Sequence, residues 1–115
     1  MAKHSMNSAF LTLSLCALAA GPVMAADPTA EQTLVLKNHA FTPQEITVPA
    51  NQKIKLIVQN QDDTAAEFES DELNREKVVP GNGHTVVYLD PLKAGTYAFY
   101  DDYHKATTTG KITVK

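Results

Sequence analysis

A chain of 115 residues, 43% hydrophobic and 20% charged, makes one domain with a modest core and has no room for a separate substrate domain. Its formal net charge is −3, and removal of residues 1–25 takes away one lysine and no acid, leaving −4. That balance argues against nucleic acid and anionic membrane as partners.

The chain opens with Lys3 and His4, runs through an apolar segment from Ala9 to Ala20, breaks at Gly21-Pro22 and reaches Val23-Met24-Ala25. This charged, apolar, small-residue order predicts a secretory signal over residues 1–25 and a mature domain over 26–115, placed in the periplasm. The apolar run falls short of the roughly 20 residues a membrane span needs, so no span is expected in the mature chain. Cys16 and the three methionines, Met1, Met6 and Met24, all precede the cleavage point. The mature chain therefore contains no sulfur, which excludes disulfides, thiol redox chemistry and cysteine nucleophiles.

Beyond a polar leader, Asp27 to Glu31, the dominant pattern has period two. It runs through Thr33–Lys37, through Ile46 and Val48, then Ile54, Leu56 and Val58, then Val86 and Tyr88, Tyr97 and Phe99, and finally Ile112 and Val114. Turn residues separate these runs, at Thr42-Pro43, Pro49-Ala50-Asn51, Pro80-Gly81-Asn82-Gly83, Asp90-Pro91 and Ala94-Gly95. An all-β, antiparallel sandwich of about seven strands is expected. One short helical insertion is predicted over Ser70–Glu76, with Ser70 as cap and acids in its first turn. Seven acids crowd the segment from Asp62 to Glu76, a composition that suits cations or a basic protein surface, or simply a solvated face.

The segment Pro91–Tyr100, continuing through Asp101-Asp102-Tyr103-His104 to Gly110-Lys111-Ile112-Thr113-Val114, resembles the C-terminal part of a cupredoxin. Upstream, Phe41–Asn51 is similar to that family's second strand and turn, and Lys55–Asn60 to its third strand. The resemblance implies a Greek-key sandwich. In blue copper members the last loop supplies a Cys, a His three positions later and usually a Met, with another His after the third strand. Here those positions hold Asp101, His104, the run Thr107-Thr108-Thr109 and Glu67. The implied metal site is therefore not of type 1; Glu67, Asp101 and His104, with His39 from the loop before Phe41, are the candidate ligands. Carboxylate with imidazole suits Cu(II), iron, Mn(II) or Zn(II) better than Cu(I).

The run Glu67–Gly81 also resembles the cupredoxin-like periplasmic component of bacterial ferrous-iron transport systems of the Efe and Ftr type. That resemblance implies a copper or iron ion as cofactor, with an iron permease and a separate periplasmic metal-binding protein as partners. It leaves several functions open: metal binding for iron uptake, oxidation of Fe(II) before the permease, a periplasmic Cu(II)-binding protein, or a metal-free docking module with a decayed site. Each ligand also has a plain structural reading. Glu67 could face solvent from an edge strand, Asp101 could accept backbone hydrogen bonds in a turn, His104 could be an exposed or capped imidazole, and His39 and His84 could be surface residues.

Overall fold

The computed structural model describes residues 29–115, so the expected signal over 1–25 lies outside the described residues. Nine strands follow in chain order: β1 (Thr29–Lys37), β2 (Ala40–Thr42), β3 (Glu45–Val48), β4 (Lys53–Asn60), β5 (Ala66–Ser70), β6 (Arg75–Val79), β7 (His84–Leu89), β8 (Gly95–Asp101) and β9 (Thr109–Val114). They form a four-stranded sheet in the order β2-β1-β4-β7 and a five-stranded sheet in the order β3-β9-β8-β5-β6. The all-β sandwich expected from the sequence is therefore present. It is not wholly antiparallel, because β1 runs parallel to β4 and β3 parallel to β9. The leader is also shorter than its polarity suggests: Thr29 to Gln32 already pair with Lys53 to Leu56.

Period-two burial builds the core between the sheets. Leu34 and Leu36 of β1 and Ile54, Leu56 and Val58 of β4 point inward from one sheet. Ile46, Phe68, Phe99, Ile112 and Val114 meet them from the other. Each fully buried side chain of this size contributes roughly 1.5–3 kcal/mol of transfer free energy. Phe99 anchors an aromatic group, edge-on to Phe41 at 5.1 Å and stacked on Phe68 at 5.3 Å. In β7 the inward pair is Val87 and Leu89, not Val86 and Tyr88, because the ladder sets Val87 opposite Leu56 and Leu89 opposite Ile54. Tyr88 accordingly faces solvent.

The helix expected over Ser70–Glu76 is instead a β-hairpin, with β5 and β6 joined by a turn at residues 71–74. Ser70 does cap that turn, its hydroxyl oxygen accepting the Leu73 N–H at 3.3 Å while donating to the Ala98 carbonyl at 2.6 Å. The left-handed Asn74 (φ 51°) then sends the chain back as a strand. Among the described residues the helical turn lies elsewhere, a 3-10 segment over Asp102–His104.

The sandwich is closed on one side by side chains. Lys77 Nζ donates to the Val86 carbonyl at 2.7 Å and Arg75 Nε to the Tyr88 carbonyl at 3.0 Å, joining edge strand β6 to edge strand β7. The Tyr97 hydroxyl donates to the Lys93 carbonyl at 2.8 Å, tying the start of β8 to the turn before it.

Candidate metal centre

Three connections meet at one end of the sandwich. The first is the two-residue turn Asn38-His39 between β1 and β2, flanked by the pair Lys37 and Ala40. Both turn residues are left-handed, φ 51° and 56°, as a type I′ hairpin requires. Asn-Gly is the usual chemistry of such a turn, so a histidine in its second position costs backbone energy that glycine avoids.

The second connection, between β4 and β5, places Asp62 beneath that turn. Its carboxylate accepts the N–H groups of Asn38 at 2.7 Å and His39 at 3.0 Å. Buried Asn60 shapes this loop, its Oδ1 accepting the Asp62 N–H at 3.0 Å and its Nδ2 donating to the Thr64 carbonyl at 2.8 Å. The His39 N–H holds the Asp62 pKa below the usual carboxylate range, with help from the Asn38 N–H and the two nearby imidazoles against an opposing cost of burial. Asp62 Oδ2 also lies 3.8 Å from His39 Nδ1.

The third connection, from β8 to β9, carries Asp101 and His104. Asp101 is 1% exposed, on the inward side with Phe68 and Phe99, and caps the 3-10 segment. One of its oxygens accepts the N–H groups of Glu67 at 2.9 Å and Tyr103 at 3.1 Å. The other lies 3.1 Å from His104 Nδ1. A carboxylate there favours the neutral tautomer with its proton on Nδ1, which leaves the Nε2 lone pair as the one available to a metal. The rings of His39 and His104 lie 4.1 Å apart, centroid to centroid, tilted by 35°.

The structure thus brings His39, Asp101 and His104 together, with Asp62 as a member that sequence reasoning placed only among the acids. The Asn60-x-Asp62 spacing of an Asx turn was the available signal. Glu67 gives its backbone N–H to Asp101, while its buried carboxylate lies against Tyr103 of the same loop and among other carboxylates. Phe68 fills the core, so its neighbours Glu67 and Glu69 point to the outer face of the five-stranded sheet, where Glu76 of β6 joins them. One carboxylate oxygen from each of these three lies within 4.8 Å of the others. His84 stands exposed at the start of β7.

A hydrogen bond shared with Glu76, then burial and the Glu76 charge, raise the Glu67 pKa, while the Tyr103 hydroxyl works the other way. The folded state therefore holds the Glu67 proton to higher pH than the unfolded chain. The associated stability is full below the ordinary Glu range and is lost as pH rises through the raised value. Glu67→Gln, which keeps the shape without the charge, is expected to be more stable than the wild type at neutral pH and equal to it near about pH 4. Urea unfolding at the two pH values measures this; a difference independent of pH contradicts it.

Comparison with known proteins bears on the fold. The model of the cupredoxin-like domain matches residues 7–114. An uncharacterized protein of Rickettsia prowazekii (strain Madrid E) is 42% identical over 94 residues, 82% of this chain and 75% of the relative. Among solved structures, auracyanin A, a "blue" copper protein of Chloroflexus aurantiacus, superposes with a TM-score of 0.67 at 18% identity, over 76% of this chain and all of its own. The metal-binding domain of the Cu(I)-exporting P-type ATPase CopA of Streptococcus pneumoniae D39 gives 0.64 at 12% identity, over 79% of this chain and 99% of its own. Among the described residues no helix is long and apolar enough to cross a membrane. The two-sheet topology and the match over nearly the whole length agree: this chain belongs to the cupredoxin-like domain family.

Proposed function

We propose that this protein is the metal-binding component of a periplasmic iron-uptake system, holding copper or iron on the imidazoles of His39 and His104 and handing iron on, as Fe(II) or after its oxidation, to a membrane permease with the help of a separate periplasmic metal-binding protein. The observation that carries the reading is the paired imidazoles at 4.1 Å, each with Nδ1 facing a carboxylate. Carboxylates behind ligating histidines fix ring orientation and raise ligand basicity. A thiolate-copper centre does not suit these residues. Position 101 carries a carboxylate already engaged by two N–H groups and an imidazole, and residues 26–115 contain neither cysteine nor methionine. Imidazole donors beside carboxylates fit Cu(II), iron or Zn(II). Copper or iron held there supplies one-electron redox chemistry; the chain orients the rings and keeps their donor nitrogens free. The iron assignment is supported by the resemblance of the run Glu67–Gly81 to iron-transport cupredoxins.

Calorimetric titration of the metal-stripped mature protein with Cu(II) and, anaerobically, with Fe(II) tests this reading. Saturable binding is expected, weakened about a hundredfold or more by His104→Ala, since even outer partners of a ligand are worth 10–100-fold. Bound Cu(II) shows no intense thiolate charge-transfer band. Loss of Fe(II) in air that requires copper supports the oxidising branch. A wild type with no saturable binding makes this a docking module and overturns the proposal.

A further inference from the structure

His39 belongs to the four-stranded sheet and His104 to the loop leaving the five-stranded sheet, so their separation is a distance between sheets. Ladder hydrogen bonds fix spacing within a sheet and have no hold on this one. The residue that spans the gap is Thr108, 1% exposed. Its hydroxyl donates to the His39 carbonyl at 2.6 Å, its N–H donates to the His104 carbonyl at 2.9 Å, and its own carbonyl accepts the Asp101 N–H at 2.9 Å. Among the described residues, the hydroxyl contact is the one hydrogen bond joining the Asn38-His39 turn to the loop over 101–108. A single residue, through its backbone on one side and its hydroxyl on the other, therefore ties together the backbones that carry both imidazoles and the carboxylate behind one of them.

We infer that Thr108 is a positioning residue, whose hydroxyl sets the spacing of the His39 and His104 rings and thereby the geometry offered to a metal. Its purpose rests on the proposed imidazole site; its geometry does not. A hydroxyl suits the task because it reaches a fixed carbonyl from a buried β-branched side chain with few rotamers. Thr108→Val keeps the branch and the volume and removes the hydroxyl, and with it a longer contact to the Thr107 hydroxyl at 3.4 Å.

The test is proton NMR of the metal-free mature protein, followed by Cu(II) titration. Ring-to-ring nuclear Overhauser cross-peaks between His39 and His104 are expected in the wild type and in Thr108→Ser, and lost in Thr108→Val. Cu(II) affinity is expected to fall at least tenfold in Thr108→Val and to stay within about threefold in Thr108→Ser, in line with the effect of other outer-shell groups. Cross-peaks that persist in Thr108→Val overturn the inference. So does their loss in Thr108→Ser, a result that remains readable if the valine variant does not fold. A wild type that binds no Cu(II) yet shows the predicted cross-peak pattern overturns the metal reading and leaves the role of Thr108 standing.

Discussion

Replacing His39 with glycine is expected to abolish high-affinity Cu(II) binding while leaving the fold as stable as the wild type or more so. The reason lies in the turn. Asn38 and His39 are consecutive left-handed residues closing a two-residue hairpin, the setting in which Asn-Gly is preferred. A non-glycine residue held at such a φ costs on the order of 1 kcal/mol, offset in part by the larger entropy glycine loses on folding. Little packing is lost with the ring, whose side chain is 48% exposed. Asp62 grips the backbone N–H groups of the turn, which glycine retains. A residue kept at a local cost, with its ring against His104, signals selection for something other than the turn. Urea unfolding and Cu(II) titration of His39→Gly separate the two effects. Destabilisation by more than about 2 kcal/mol would show that the ring is structural, since the backbone argument predicts a gain. Unchanged binding would remove His39 from the ligand set.

Asp101 gives the second large effect, and two substitutions divide it. In Asp101→Ala the buried N–H of Glu67 and the partly buried N–H of Tyr103 lose their acceptor, which is expected to cost about 3 kcal/mol, as loss of one partner from a buried polar network does. Asp101→Asn is milder for the fold and severe for the site. The amide oxygen still accepts both backbone N–H groups, and the NH2 group then faces His104 Nδ1. An amide donor there forces Nδ1 to accept, moving the imidazole proton to Nε2, the nitrogen a metal would use. Affinity for Cu(II) is expected to drop 10–100-fold with stability within about 1 kcal/mol of wild type. Long-range nitrogen–proton NMR of the ring reports the tautomer directly. If His104 keeps its proton on Nδ1 in Asp101→Asn, the orienting role assigned to the carboxylate is wrong.

Much of this was legible from residue order because strand burial has a strict period. Ile46 and Val48, Ile54, Leu56 and Val58, and Ile112 and Val114 each declare the inward face, and the structure keeps it. The signal failed where two β-branched residues adjoin: Val86-Val87 reads equally well in either phase, and only pairing with β4 decides between them. The parallel pairs were out of reach for a related reason, since β1 meets β4 and β3 meets β9 through contacts between residues far apart in the chain. Over Ser70–Glu76 the cap chemistry was real, but it serves a hairpin turn whose second strand is secured by pairing, a tertiary effect that overrides helix propensity.

The candidate site divides in the same way. Asp101 and His104 stand three apart, a spacing that a 3-10 turn brings into contact. His39 reaches His104 only because two loops from different sheets converge, a meeting no local pattern encodes. Alternation with Phe68 does set Glu67 on the opposite face of β5, but β5 lies between β8 and β6 and Glu67 is buried there, not the solvent-facing residue of an edge strand. The resemblance names Glu67 as a ligand; its backbone N–H serves Asp101, and its carboxylate stands in a group with Glu69 and Glu76 beside Tyr103.

The closure of β7 by Arg75 and Lys77 has a bearing on how copies of this protein behave toward one another. A border strand with bare carbonyls is a template on which another chain can add a strand, the usual route to aggregation of β proteins. Here the carbonyls of Val86 and Tyr88 are taken by cationic side chains from the facing sheet. An approaching molecule meets a lysine and an arginine, the latter paired with Asp90 at 3.5 Å, in place of two open acceptors. The same contacts that hold the sandwich shut therefore act as a guard against strand addition along this border.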